Sequence, residues 1–523
     1  MRLRSDSFTI VLAVLAVLAV LAHVAITLFA GYGIFRDELY YIACSKRLAF
    51  GYVDHPPLSI AALWLWRQVA GESLFAIRFL AALFTGAGVW MLGGLIRDLG
   101  GSVRALVLGG VLYITAPIMM AMGSFYSMNV LDALFWLAAA RMLLRAIERN
   151  ATREWLLLGL LMGAGSMNKI SVLWLCFGVA VLLLWHDAGL WWRRLRMPGA
   201  IWPRHERAML AGAGPWLAAG VALLLFLPFV AWNIAHDFAH VEFMRNAGSM
   251  KYGGITRVDF LINVLLIHNP LAWIMLGGGL WMCLSAKDAR FKSIGVLWVV
   301  TFLILLANGS SKPEYLTAAT GLLFAAGAVW LERWSANWLR LLYIVPTVLL
   351  ALALTPFAAP VLPVETFIAY NQAIAPPAKN AEGHRMGVLP QFFADMHGWE
   401  ELARNVSAVY RTLPAEQRAD AVVLAGNYGE AAALEYFASR YPLPQVICTH
   451  NNYWLWGYPE RISTVIVLGG DEEDHRAASD TVRLAEVHTH PYAMPYESDL
   501  AIWVCEGLRI SAAAIWSREK RYI

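Results

Sequence analysis

Phe8-Thr-Ile-Val-Leu-Ala-Val-Leu-Ala-Val-Leu-Ala-Val-Leu-Ala-His-Val-Ala-Ile-Thr-Leu-Phe-Ala30 is an apolar run without a charge, and it leads directly into Phe35-Arg-Asp-Glu-Leu-Tyr-Tyr41. A membrane-spanning helix needs about 17 to 25 apolar residues, whereas the apolar part of a secretory signal has about 7 to 15. The run therefore reads as a retained first span, and Asp37-Glu38 as the start of the first loop beyond it. The rest of the chain has the same character: 523 residues, 59% hydrophobic and only 15% charged. A soluble domain carries about 25% charged residues, so repeated membrane spans are expected, and disordered, collagen-like and disulfide-scaffold classes are excluded. Five cysteines, Cys44, Cys176, Cys283, Cys448 and Cys505, include no C-x-x-C or C-x-x-H spacing for a structural zinc.

Ten further apolar stretches centre near Val89, Leu112, Leu137, Leu161, Val179, Leu223, Leu271, Val300, Leu323 and Leu350, giving eleven expected spans, with breaks at Pro117 and at Asn168-Lys169. Basic residues recur on every second connection: Arg2 and Arg4; Arg97 and Arg104; Arg141, Arg145, Arg149 and Arg153; Arg193, Arg194, Arg196, Arg204 and Arg207; Lys287, Arg290 and Lys292; Arg333 and Arg340. The positive-inside rule puts these connections in the cytoplasm, so the N-terminus is expected inside and the C-terminus outside. After Ala359 the composition changes. Residues 360–523 hold 13 Lys+Arg against 20 Asp+Glu, so the net +4 of the chain divides into +11 for residues 1–359 and −7 for the remainder. The second part reads as an extracytoplasmic α/β domain. Its short β-rich runs Ala421 to Ala425, Gln445 to Thr449, Thr464 to Leu468 and Ala501 to Cys505 alternate with helical patterns such as Glu430 to Ser439, which predicts a partly parallel sheet.

Acids at a membrane boundary must pair, bind a cation or hold a proton, which makes Asp37 and Glu38 functional candidates. The competing reading is solvation among headgroups, with Arg36 or Arg78 as partners. The same loop continues Gly51-Tyr-Val-Asp-His-Pro-Pro-Leu58. Its paired prolines fix the backbone and hold Asp54 and His55 toward the same water space. Asp37, Asp54 and His55, with Glu38, are candidate ligands of a divalent cation, against plain hydrogen bonding. His236 and His240, spaced i, i+4, are better read as part of an interfacial helix than as a metal pair, because no Glu lies between them in a zincin pattern.

Asp37-Glu38 with Tyr40-Tyr41, the Asp54-His-Pro-Pro-Leu58 turn and the following Arg78 resemble the first extracytoplasmic loop of the GT-C membrane glycosyltransferases. The likeness is strongest to the bacterial relatives of the protein O-mannosyltransferases and of the lipid A aminoarabinose transferases. Tyr126 to Asp132, Gly165-Ser-Met-Asn-Lys169 and Ser311-Lys-Pro-Glu-Tyr315 are similar to further stretches of that pattern. The resemblance implies a GT-C fold and transfer of a sugar from a polyprenyl phosphate to an acceptor hydroxyl on a glycan, lipid or protein at the outer face of the inner membrane. It makes Asp37 the catalytic base, with Glu38 beside it. It places Tyr40, Tyr41, Asp54, His55, Arg78, Lys169, Lys312 and Tyr315 at the substrates. Lys312 is the leading candidate to neutralise the leaving phosphate, ahead of Lys169, Arg245 and Lys251; a snorkelling anchor is its alternative. The aminoarabinose enzymes commonly have Glu-Lys where this chain has Asp54-His55, so no lysine carries over there.

In the C-terminal part, Gly426-Asn-Tyr-Gly-Glu430 precedes a helix, a place where backbone N–H groups can hold an anion. His450-Asn-Asn-Tyr-Trp-Leu-Trp-Gly457 suits either sugar rings or a surface closing over the membrane part. Cys448 and Cys505 are read as a candidate disulfide or as two buried thiols. Membrane lipids are expected partners and nucleic acid is not. The rival functional classes are a transporter or flippase of lipid-linked or anionic substrates, which would carry acids near the midplane on broken helices, and a non-catalytic assembly protein.

Overall fold

The computed structural model describes residues 2–197, 208–334, 336–374 and 385–523. Arg204 and Arg207, used above for sidedness, lie outside the described residues, as do the side chains of Arg2 and Arg4.

Helices stand at ten of the eleven expected positions, and the run near Leu271 is a turn between two helices. Seven helices are long and apolar enough to cross a membrane, and two pairs of helices, each bent at a break, bring the count to nine if each pair is one span. The break at Pro117 separates Val103–Thr115 from Pro117–Gly123 at 65°, because proline has no N–H to continue the ladder. The second bend, 108° between Arg257–Ile267 and Ala272–Ser285, falls at His268-Asn269-Pro270 and was not expected. There Asn269 takes a left-handed conformation at φ 72°, and its side chain donates to the Thr347 carbonyl at 2.8 Å. The remaining two helices, Met128–Arg149 and Thr152–Asn168, fall short of a free-standing span. The first carries Asp132, Arg141 and Arg145, and the second has 17 residues; both pack inside the bundle and share the main apolar core.

Connections expected on the inner side converge at one end of this bundle. Asp98 receives Arg141 at 2.9 Å and Arg145 at 3.6 Å, and Arg290 donates to the Asp98 carbonyl at 2.8 Å. The helix Thr317–Trp334 runs through the middle, with fourteen of its residues buried. Its Gly327 lies against the helix Ala272–Ser285 so closely that a Cβ would collide with the Met275 carbonyl.

Beyond the last span the chain forms helices Val364–Ile374 and Trp399–Thr412 and then a five-stranded sheet. Its strands are β1 Ala421–Ala425, β2 Gln445–Cys448, β3 Thr464–Leu468, β4 Ser479–His488 and β5 Leu500–Leu508, in the order β2-β1-β3-β5-β4. β1 pairs parallel with β2 and β3, whereas β5 runs antiparallel to β3 and β4. The expected partly parallel sheet is present, together with an edge strand, β4, that was not expected. Cys448 on β2 and Cys505 on β5 stand three strand positions apart, and both are free thiols; the candidate disulfide is thereby corrected.

The two parts share one hydrophobic core. Leu39 to Cys44, Ile60 and Leu63 from the outer loop and its following helix pack in a single cluster with Leu402, Val406, Leu434 and Phe437. The sheet domain is thus seated on the loop that carries the acidic pair.

Candidate active site

Arg36-Asp-Glu-Leu-Tyr-Tyr-Ile-Ala-Cys-Ser45 forms a helix lying in the first outer loop. Asp37 and Glu38 occupy its first turn, where the helix dipole favours negative charge. Their surroundings then diverge. Glu38 is fully buried. It accepts hydrogen bonds from the Phe35 N–H at 3.0 Å, from the Tyr126 N–H at 2.9 Å and from Arg78 at 3.0 to 3.3 Å. Arg78 is itself 2% exposed and also donates to the Gly33 carbonyl at 2.8 Å. Glu38 and Arg78, expected at the chemistry, are instead a buried ion pair that ties the loop helix to the start of the helix Met128–Arg149 and to Leu74–Asp98. Asp37 keeps 38% of its side chain exposed. The Tyr428 hydroxyl of the C-terminal domain donates to its Oδ1 at 2.9 Å, and Arg36 Nε lies 3.8 Å from the same oxygen. No described residue bonds to Oδ2.

The Asp54 turn faces this helix. Tyr40, buried, donates from its hydroxyl to Asp54 Oδ1 at 3.1 Å. His55, 1% exposed, donates from Nδ1 to the Pro56 carbonyl at 3.1 Å, and its Nε2 lies 3.7 Å from Asp54 Oδ1. Burial pushes the Asp54 carboxyl above the usual carboxylate range, with the nearby charge of Asp37 adding to it. Tyr41 accepts from the Met128 N–H at 3.3 Å. Among the described residues no three His, Cys, Asp or Glu side chains converge to hold a metal ion. The expected cation set of Asp37, Asp54 and His55 is corrected accordingly: Asp54 pairs with Tyr40 and His55, while Asp37 Oδ1 is turned to Tyr428.

A second polar group forms where Tyr126 to Asp132 meets Gly165 to Lys169. Lys169 donates to Asn129 at 2.8 Å and lies 3.5 Å from Asp132, which also accepts from Ser171 at 2.8 Å. On its other side Lys169 stands over the Tyr315 ring at 5.4 Å. Tyr315 lies beside Tyr252, and Lys312 lies over the Tyr252 ring at 4.4 Å and 3.8 Å from Glu314. Two cations are thus lined up through two tyrosines. Lys251 ends the short π-helical turn Ala247–Lys251, and Arg245 lies on Ala239–Asn246 just before it. His236 and His240 lie on opposite sides of a break at Asp237-Phe238. His240 is buried, and its Nδ1 donates to the Val53 carbonyl at 2.9 Å, so that pair braces the Asp54 turn.

The C-terminal domain supplies partners that have no counterpart in the expected set. Arg36 reaches Asp395 at 3.3 Å and the Tyr496 hydroxyl at 3.1 Å. Asn452 accepts from the Val53 N–H at 2.7 Å, and its own N–H donates to the Tyr40 hydroxyl at 3.3 Å. Of the two readings of His450 to Gly457, these contacts match the surface that closes over the membrane part. The Gly426 to Glu430 segment keeps its N–H groups for itself: Asn427 accepts from Gly429 and Glu430, and the Glu430 carboxylate accepts from Gly426 at 2.7 Å. The expected anion cradle is filled from within the chain.

A broken-helix bundle with a loop helix, capped by a C-terminal sheet, has the GT-C membrane glycosyltransferase fold. Against solved structures, the chain matches ArnT from Cupriavidus metallidurans bound to undecaprenyl phosphate with a TM-score of 0.57 and 13% identity, over 96% of this chain and 98% of that one. Residues 54–202 match the family model described as dolichyl-phosphate-mannose-protein mannosyltransferase. Among sequence relatives, the lipid A galacturonosyltransferase RgtD of Rhizobium johnstonii is 24% identical over 57% of this chain. The undecaprenyl phosphate-alpha-4-amino-4-deoxy-L-arabinose arabinosyl transferase 1 of Sodalis glossinidius is 26% identical over 51% of it. The matched segments span 60% and 46% of those two relatives. The resemblance to GT-C glycosyltransferases of the lipid A aminoarabinose transferase type is borne out.

Proposed function

We propose that this multi-pass protein is an inner-membrane glycosyltransferase that moves a sugar from an undecaprenyl-type phosphate to an acceptor hydroxyl at the outer face, with its sheet domain outside. The observation that carries this reading is the contrast within the acidic pair: Glu38 has its oxygens occupied by buried donors, whereas Asp37 is partly exposed with Oδ2 free. Asp37 is then the base. Its Oδ2 takes the proton of the acceptor hydroxyl as the acceptor oxygen bonds to the anomeric carbon. The bond from that carbon to the phosphate oxygen breaks, and its electron pair leaves with the lipid phosphate. The bound proton later passes to water.

A leaving phosphate monoester needs cationic partners, and the group Lys169, Tyr315, Tyr252 and Lys312 supports that role at the outer span ends. Asp54, held by Tyr40 and His55, bounds the same space and suits hydrogen bonding to sugar hydroxyls. The names of the relatives support a lipid-linked donor, and lipid A, named for the Rhizobium relative, is the first acceptor to try. Mass spectrometry of envelope lipids and glycans from cells lacking the protein should show one sugar substitution missing, restored by the wild-type chain and not by Asp37→Asn. Restoration by Asp37→Asn would rule out this base.

A further inference from the structure

We propose that Tyr428 is a positioning residue for the Asp37 carboxylate, so that the active site is completed by the C-terminal domain; this rests on the reading of Asp37 as the base. The two residues are 391 positions apart in the chain, yet the hydroxyl donates to Oδ1 at 2.9 Å and makes no other hydrogen bond among the described residues. Everything around Tyr428 fixes that hydroxyl in place. It sits at the first position of the helix Tyr428–Phe437, capped by Asn427. The Asn427 amide in turn donates at 2.8 Å to each of two buried acids, Glu430 and Glu497. Its ring is flanked by Tyr40 at 4.8 Å, by His450 edge-on at 5.0 Å and by the Arg36 guanidinium at 5.3 Å.

The helix Tyr428–Phe437 lies along the loop helix and is pinned to it at both ends. At one end Gly429 packs so closely on Arg36 that a Cβ would stand 2.5 Å from its Cγ. At the other, Arg47 donates to Glu435 at 2.9 and 2.6 Å and lies 4.3 Å over the Trp456 ring. One consequence follows for the chemistry. With Oδ1 held, the carboxylate cannot rotate freely, and Oδ2 is the oxygen left to face the acceptor.

The test uses membranes from deletion cells complemented with the full-length chain, which carry their own donor and acceptor; the product missing in the deletion is followed against time by mass spectrometry, with undecaprenyl phosphate binding measured in parallel. Tyr428→Phe keeps the ring contacts and loses the hydroxyl. Its rate should fall about ten- to a hundredfold while undecaprenyl phosphate still binds. Tyr428→4-methylphenylalanine, which fills the same space without a donor, should lose rate in the same way and keeps the test open should the Phe variant fail to accumulate, whereas Tyr428→3-fluorotyrosine, which keeps the hydroxyl, should work at close to the wild-type rate. Tyr436→Phe removes another hydroxyl of the same helix, one that donates to the Glu72 carbonyl at 2.9 Å, and should leave the rate unchanged. A wild-type rate in a Tyr428 variant without the hydroxyl, with Asp37→Asn inactive, would overturn the positioning role and leave the base standing. An active Asp37→Asn would instead overturn the base.

Discussion

Removing Glu38 would strip the acceptor from the N–H groups of Phe35 and Tyr126 and from two nitrogens of Arg78, all in a place closed to water. Breaking a buried pair on one side leaves the other charge uncompensated, at a cost of about 3 to 5 kcal/mol. Glu38→Ala is therefore expected to lower the melting temperature of the detergent-solubilised protein sharply, whereas Asp37→Asn, on a partly exposed group, should leave it nearly unchanged. Equal melting temperatures for the two variants would contradict the division of labour between these neighbours. The sequence marks both acids as candidates because any acid at a membrane boundary is conspicuous. It does not tell them apart: the donors that bury Glu38 come from residues 78 and 126, and no local spacing records their approach.

At the scale of elements, the bundle depends on close backbone contact where the apolar driving force between helices is weak. Gly327 meets the Met275 carbonyl across the crossing of Thr317–Trp334 with Ala272–Ser285, and Gly279 faces Gly327 from the other helix. Gly327→Val is expected to force this crossing apart and to reduce folded protein in the membrane, as read by size-exclusion profile after solubilisation; a monodisperse wild-type-like profile would contradict it. Ten of the eleven expected helix positions were legible from apolar run length alone, as was the break at Pro117. The bend at Asn269-Pro270 was not read, although a left-handed Asn before Pro is its local signal. In the sheet, β1 and β3 stand out as buried β-branched runs. The edge strand β4 was passed over because its Leu484 and Val487 remain nearly half exposed among charged neighbours, so its alternation carries little apolar contrast.

At the scale of the whole molecule, the sheet domain and the loop helix form one unit, and a buried acid pair sits just behind their contact. Glu430 and Glu497 share the Asn427 amide. Burial pushes the Glu430 carboxyl up to about 7, and burial together with the charge of Glu430 raises Glu497. A carboxyl whose folded pKa is raised binds more protons in the native state than in the unfolded one. Its contribution to stability is therefore present below the ordinary value of 4.5 and is lost as pH rises through about 7. Thermal unfolding of the full chain should accordingly show a falling transition temperature across that window, flattened in Glu430→Gln; a transition that rises with pH there would contradict the arrangement. Of this long-range joining, the sequence offered only the reading of His450 to Gly457 as a surface closing over the membrane part. Tyr428 and Asn427 were visible only as part of a Gly-rich turn, and their partners come from opposite ends of the chain.

The most direct measurement is transfer by Asp37→Asn in membrane vesicles carrying the full-length chain, with undecaprenyl phosphate binding followed in parallel. The account predicts that transfer falls by about a hundredfold or more while undecaprenyl phosphate still binds. Transfer at the wild-type rate would contradict it.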